Sequence, residues 1–396
     1  MTKGIIGAVI GDIVGSSREM RPVSRRGFKL FVGSSTITDD TVLTAAVAEW
    51  MLDREHVEIS QSLLRWSEEY PNAGYGSSFR RFRTQGSPVT PGSTHNGSAM
   101  RVSSVGFLAS SLEECMELAR ESALPSHNST EAVKAAQATA VAIHLALKGM
   151  SKSEMRDYLE SQFGYNLHRS YDDVRSEIHH FRSLRSVDYN ASHERIIGAE
   201  PAVQDALIAF FEGDSYEDVI RKAVYLGGDA DTEAAIAGGI AAAYYGVPEE
   251  IIQQALIYIP SDILKVVNKV DGTSWRPSKL IPPTSSRWSK DDIVICGTTV
   301  DESRGERAFY LTMPMRFRRH YNNGYPIHII DGDIEEVKTH IETLRRKCES
   351  ESGRACRWHL HEIGLESGRL TIDEFRELFA WALELDNVLV TPTLIG

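Results

Sequence analysis

One stretch limits the architecture more than any other: GGDADTEAAIAGGIAAAYYG, residues 227–246. From Ala234 to Ala243 it holds nothing larger than isoleucine, yet Asp229, Asp231 and Thr232 crowd its start. A helix with no polar face belongs inside a bundle, where small side chains let another helix come close. A second stretch, AAQATAVAIHLAL within 130–149, has the same character. The expected fold is therefore all-α, a bundle of many helices.

Apolar residues at three-and-four spacing predict helices over 41–52, 111–123, 130–149, 151–163, 202–213, 215–226, 231–246 and 248–259. Gly149, Gly213 and Gly246 supply stops, and Pro248 sits early in its helix, where a missing amide costs nothing. Long loops are expected over 21–37 and 70–106. The second is dense in Gly, Ser, Asn, Pro and Arg, a composition that suits a functional loop. The run 169–201 is polar and yields no assignment. Over 278–292 the chain turns to Pro and Ser, and the pattern then changes. DIVICGTTV, AFYLTMP, YPIHIID, CRWHLHEIG and NVLVTP read as strands. DIEEVKTHIETLRRKCES, capped by Asp333, and TIDEFRELFAWALEL read as helices. The expected organisation is an all-α domain over 1–280 and a small α/β domain over 288–396.

The balance of 43 Lys and Arg against 55 Asp and Glu gives a formal charge of −12, which argues against a nucleic-acid binder working by phosphate neutralisation. Arg80, Arg81 and Arg83 form a candidate local basic pocket. No apolar run approaches the about 18 residues that span a bilayer, so no membrane partner is expected and a cytoplasmic location is the default. The scattered Cys115, Cys296, Cys348 and Cys356 fit a reducing compartment. Cys348, Cys356, His359 and His361 match no familiar zinc spacing.

TITDDTVLTAAVAEW, residues 36–50, repeats the layout of 229–232: Thr38, Asp39 and Asp40 precede a helix of small and aliphatic residues. N-capping explains one such residue at each start, not two or three. If the two helices pack side by side, their carboxylates and hydroxyls converge and repel unless neutralised. Oxygen-only ligands suit hard cations, Mg²⁺ or Mn²⁺ ahead of Zn²⁺. Four carboxylates carry charge enough for two divalent ions, so a binuclear site is predicted.

The chain also carries, in order, GAVIGDIVGSSRE (7–19), TDDT (38–41), GYGSSFRRF (74–82), NGSAMR (96–101), SHNSTEAVKAAQATA (126–140) and GGDADTEAAIAGGIAAAYYG (227–246). This series resembles the ordered motifs of the ADP-ribosylglycohydrolase family. The resemblance implies an all-α domain holding two Mg²⁺ or Mn²⁺ ions, with Thr38, Asp39, Asp40, Asp229, Asp231 and Thr232 as ligands. It implies that Glu19 gates the site or assists the attacking water. Gly74, Gly76, Ser77 and Ser78 would line the diphosphate and distal ribose, and Asn96, Gly97, Ser98 and His127 the rest of the pocket. Tyr75 would stack on the adenine or ribose.

The implied reaction is hydrolysis of the bond joining ADP-ribose to a modified protein or other conjugate. Cleavage at the anomeric carbon passes through an oxocarbenium-like state with water as nucleophile. Glu19, Asp39 and Asp229 are the candidates to take the water's proton. The alternative is a binding protein of the same fold, an ADP-ribose sensor or a toxin-immunity factor. A Mg²⁺-dependent phosphohydrolase would use similar aspartates but leaves the glycine-rich and SHN motifs without a role.

Overall fold

In the computed structural model of the chain, residues 1–85, 92–276, 292–295, 309–311, 327–329, 341–342, 344–346, 348–349, 357–360, 372–385 and 388–390 are described. They fall into two units, one built on Met1–Arg276 and the other on Trp288–Gly396. The first is helical, with isolated bridges joining Thr2 to Val247 and His95 to Gly198. Its helices are α1 (Ile6–Ser16), α2 (Asp39–Leu52), α3 (Ile59–Glu69), α4 (Ser77–Gln85), α5 (Ser103–Leu108), α6 (Leu112–Ala123), α7 (Thr130–Leu147) and α8 (Lys152–Phe163). They continue with α9 (Tyr171–Ser183), α10 (Tyr189–Ile197), α11 (Ala199–Glu212), α12 (Tyr216–Leu226), α13 (Ala230–Tyr245), α14 (Glu249–Ala255) and α15 (Ser261–Asp271).

The core is the α1–α13 pair, and the sequence shows why. Gly7, Gly11 and Gly15 recur every fourth residue and so share one face of α1. A Cβ on Gly15 would stand 2.2 Å from the Ala230 carbonyl oxygen, and one on Gly11 would stand 1.9 Å from that of Ala234. One on Gly7 would stand 2.7 Å from the oxygen of Gly238. Contacts that step backwards along α13 as α1 advances mean the two helices run antiparallel, backbone against backbone. Each glycine costs about 1 kcal/mol against alanine inside a helix. Burial of Ile6, Ile10, Ile13 and Val14 offsets that cost, at about 1.5–3 kcal/mol for each side chain. Ile5 offers no side-chain cap to α1. The Asp271 carboxylate serves instead, accepting from the Ile5 amide at 2.7 Å and the Ile6 amide at 3.1 Å.

Here the structure corrects one expectation. The two acidic-ended helices do not lie side by side: α13 packs along α1, and only the start of α2 comes near the start of α13. Other differences are local. The run 248–259 splits into α14 and a 3₁₀ turn at Leu256–Tyr258. The expected loop 70–106 contains α4 and the start of α5, and the unassigned 169–201 contains α9 and α10, capped by Ser170 and Asp188.

In the second unit, β1 (Asp292–Ile295), β4 (Arg357–Leu360) and β5 (Val388–Val390) form a parallel sheet in the order β1-β4-β5. β2 (Phe309–Leu311) and β3 (Ile327–Ile329) pair antiparallel. All five lie within the segments read as strands. Ile372–Phe379 is helical, and Ile341, Leu344 and Cys348 are buried at helical spacing. Asp333, Cys296, Cys356, His361 and most of the Pro/Ser stretch lie outside the described residues.

Candidate metal centre and ligand cavity

Thr38 is the N-cap of α2, its hydroxyl accepting from the Asp40 amide at 3.2 Å. Capping is thus complete without Asp39 or Asp40. Asp229 holds the N-cap position of α13 but makes no capping bond. Its Oδ2 instead accepts from Asn96 Nδ2 at 2.7 Å. The carboxylates are therefore surplus to what the helix ends need, and they converge. One carboxylate oxygen from each of Asp12, Asp40 and Asp231 lies within 4.8 Å of the others, and all three residues are buried.

Asp12 is the group the sequence reading missed. It stands on α1 one residue after Gly11, so the close α1–α13 approach carries it beside Asp231. Its Oδ2 accepts from the Thr38 amide at 2.8 Å, the Thr41 amide at 3.2 Å and the Thr41 hydroxyl at 2.5 Å. Its Oδ1 lies 2.8 Å from Thr38 Oγ1, which is also 3.0 Å from Asp40 Oδ2. Since one hydroxyl proton cannot serve both, two carboxylates compete for it. The signal available beforehand was a lone charged residue in an otherwise apolar helix.

Burial first, then the charges of Asp12, Asp39 and Asp229, pushes the Asp40 carboxyl well above the usual carboxylate range. Asp231 is raised likewise, by burial and then by Asp229 and Asp40. Asp40 Oδ1 has no hydrogen-bond partner. Such a cluster is costly unless a cation compensates it, and an all-oxygen donor set suits a hard divalent ion. The residues present fit a metal.

Asp40 and Asp231 of the cluster line a cavity of about 440 Å³. Glu19, Asp39, Asp40, Asp229, Asp231 and Thr232 line it, as do Gly74, Gly76, Ser77, Ser78, Asn96, Gly97 and His127. Gly74 has φ of 108°, which favours glycine, and lets the chain turn into the start of α4. Ser126 Oγ accepts from Arg101 Nη2 at 3.1 Å and shares a hydrogen bond with His127 Nδ1 at 2.8 Å, which orients the imidazole. Burial, then the Arg101 charge, holds the His127 imidazole well below its ordinary pKa, and Nε2 is the nitrogen not engaged by Ser126. A Cβ on Gly97 would stand 2.7 Å from that Nε2, so the glycine gives the imidazole its place.

Three expected residues do not line the cavity. Tyr75 is buried against Phe79 and gives its hydroxyl to the Tyr70 carbonyl at 2.9 Å, so it offers no free face to a base. Ser98 is buried and donates to the Ala132 carbonyl at 2.8 Å. Thr38 lies behind Asp40 as a cap. Arg80 and Arg83 fold back on Tyr75, and neither they nor Arg81 line the cavity. The wall unforeseen in the sequence comes from α9, α10 and the 3₁₀ turn Leu184–Ser186 between them, and includes Arg182, Arg185, Tyr189 and His193.

Comparison with known proteins agrees with this geometry. ADP-ribosylhydrolase ARH3 of Bos taurus is 31% identical over 279 residues, covering 57% of this chain and 76% of that protein. ADP-ribosylarginine hydrolase Tri1 of Pseudomonas putida (strain GB-1) is 26% identical over 273 residues, covering 61% and 70%. A solved structure described as an ADP-ribosylglycohydrolase-related protein complex matches with a TM-score of 0.50 and 25% identity, over 68% of this chain and 96% of that one. The family described as ADP-ribosylglycohydrolase matches residues 1–274, which hold every residue of the cavity, and the chain belongs to that family.

Proposed function

We propose that the chain is a metal-dependent hydrolase that cleaves the glycosidic bond between ADP-ribose and a modified protein or other conjugate. The observation that carries this reading is that buried carboxylates and ligand cavity coincide, since Asp40 and Asp231 belong to both. Thr38, Asp39, Asp40, Asp229, Asp231 and Thr232, joined by Asp12, would hold two Mg²⁺ or Mn²⁺ ions. Bound there, the ions supply Lewis acidity toward the ribose hydroxyls and the attacking water. Asn96 holds Asp229 in place through its side-chain amide.

The chain's own groups account for the remaining tasks. The amides at the start of α4, beside Gly74, Gly76, Ser77 and Ser78, suit the diphosphate. His127 presents Nε2 to the ligand for a hydrogen bond. Glu19, half-buried on the cavity wall, takes the proton of the attacking water, with Asp39 or Asp229 as the other acceptors. The surrounding carboxylates favour the positive charge that develops on the ribose. Residues 288–396 form an accessory domain that contributes none of these groups.

The test is release of free ADP-ribose from arginine-linked and serine-linked substrates, in Mg²⁺ or Mn²⁺ and in EDTA. Release that requires the metal supports the reading and identifies the linkage. ADP-ribose binding without release from either substrate points to a sensor or blocking protein instead.

A further inference from the structure

Arg182 has no task in that scheme, yet its contacts are specific. It lies in the last turn of α9, half-buried. Its Nη2 donates to the carbonyls of Glu19 at 2.8 Å and Gly228 at 2.6 Å, and its Nε donates to the Gly227 carbonyl. These carbonyls belong to two turns far apart in sequence. One follows α1 and carries Glu19; the other precedes α13 and carries Asp229. Gly227, with φ of 86°, ends α12 in the left-handed region, and the turn exposes carbonyls that no helix satisfies. A planar, forked guanidinium can bridge carbonyls from both turns, whereas a lysine ammonium is a single point donor.

Beneath the turn lies Glu233, fully buried, with neither carboxylate oxygen hydrogen-bonded. A Cβ on Gly228 would stand 1.8 Å from Glu233 Oε1, so this carboxylate presses directly against the turn that Arg182 holds. Burial pushes this carboxyl well above the usual carboxylate range, so its part here is to pack against the turn.

We propose that Arg182 is a positioning residue: it clamps the Glu19 turn to the Asp229 turn, with Glu233 packed beneath the second turn, and so fixes the spacing between Glu19 and the carboxylates of the site. The proposal rests on the reading of Glu19 as a group of the hydrolytic site.

The experiment compares wild type, Arg182→Gln, Arg182→Lys, Glu19→Gln and the Arg182→Gln/Glu19→Gln double variant as full chains. Amide hydrogen exchange is read over 19–21 and 227–229, with α7 as internal reference. In Arg182→Gln both turns exchange about tenfold faster or more while α7 is unchanged; Arg182→Lys gives an intermediate rate. In turnover, Arg182→Gln lowers kcat by about ten- to a hundredfold with little change in KM. The double variant is then no slower than Glu19→Gln alone, because both changes remove one function. Unchanged exchange in the two turns would overturn the clamp. So would a raised KM at constant kcat, which would mean direct contact with substrate, or effects that multiply in the double variant. If wild type releases no ADP-ribose the hydrolase reading fails, and the exchange measurement still decides whether the clamp exists.

Discussion

Replacing Gly11 by alanine tests the packing on which the site depends. The new Cβ would meet the Ala234 carbonyl oxygen at 1.9 Å, its carbon at 2.4 Å and the Ala235 nitrogen at 2.8 Å. Ordinary contact begins near 3.4 Å, a shortfall of about 1.5 Å at the closest atom. All three atoms are backbone, so no side-chain end can swing aside and α1 must move off α13. Overpacking of a core typically costs about 1–3 kcal/mol, and a rigid backbone contact belongs at the top of that range or above it. Alanine's better helix propensity returns about 1 kcal/mol, leaving a net loss of about 2–3 kcal/mol. For a unit of this size that lowers Tm by about 4–6 °C. Gly15→Ala costs a similar amount, but its Cβ also meets the Asp231 Cα at 2.4 Å. Gly7→Ala strikes the far end, at Ala242 and Gly238. Thermal melts should therefore show three destabilised proteins, while Mn²⁺ titration shows a gradient, with affinity lost most in Gly15→Ala and least in Gly7→Ala. A Gly11→Ala protein that melts higher than wild type, as an unhindered helix glycine would, refutes the reasoning.

Other outcomes follow from the same geometry. Asp12→Asn keeps the shape but sets an amide against donors of Thr38 and Thr41; urea unfolding should show a loss of about 3 kcal/mol, and unchanged stability would remove Asp12 as the anchor of α2. Gly97→Ala displaces His127 and should weaken ADP-ribose binding about tenfold by calorimetry, whereas unchanged affinity would exclude His127 from the pocket. Because the carboxyls of Asp40 and Asp231 are raised, the folded chain holds protons that the unfolded chain releases. The stability they contribute is full below the ordinary carboxylate pKa of about 4 and is lost as pH rises through their raised values. The Tm of metal-stripped protein should thus fall from acid toward neutral pH, less steeply in Asp231→Asn; a rising Tm over that window contradicts the assignment.

Much of this was legible in the sequence because it rests on local chemistry. Helices α2, α6, α7, α8 and α11 to α14, the five strand segments and the two acidic starts follow from periodicity and from residue types at helix ends. The α1–α13 partnership was not legible, because periodicity marks a buried face without naming its partner. Asp12 was hidden for the same reason: its role depends on which helix α1 meets. Tyr75 shows the converse limit, since an aromatic beside a glycine-rich loop looks available until the fold buries it under Arg83 and Phe79. The α9–α10 wall gave little signal because α10 buries only Ser192 and the α9 stripe of Tyr171, Val174 and Ile178 is thin among polar residues.

The most direct measurement is Mn²⁺ uptake by metal-stripped wild type and Asp231→Asn, followed in the same samples by ADP-ribose release. The account predicts saturable uptake in wild type, release that rises with occupancy, and loss of both in Asp231→Asn. Undiminished release in EDTA, or equal uptake by the two proteins, would contradict it.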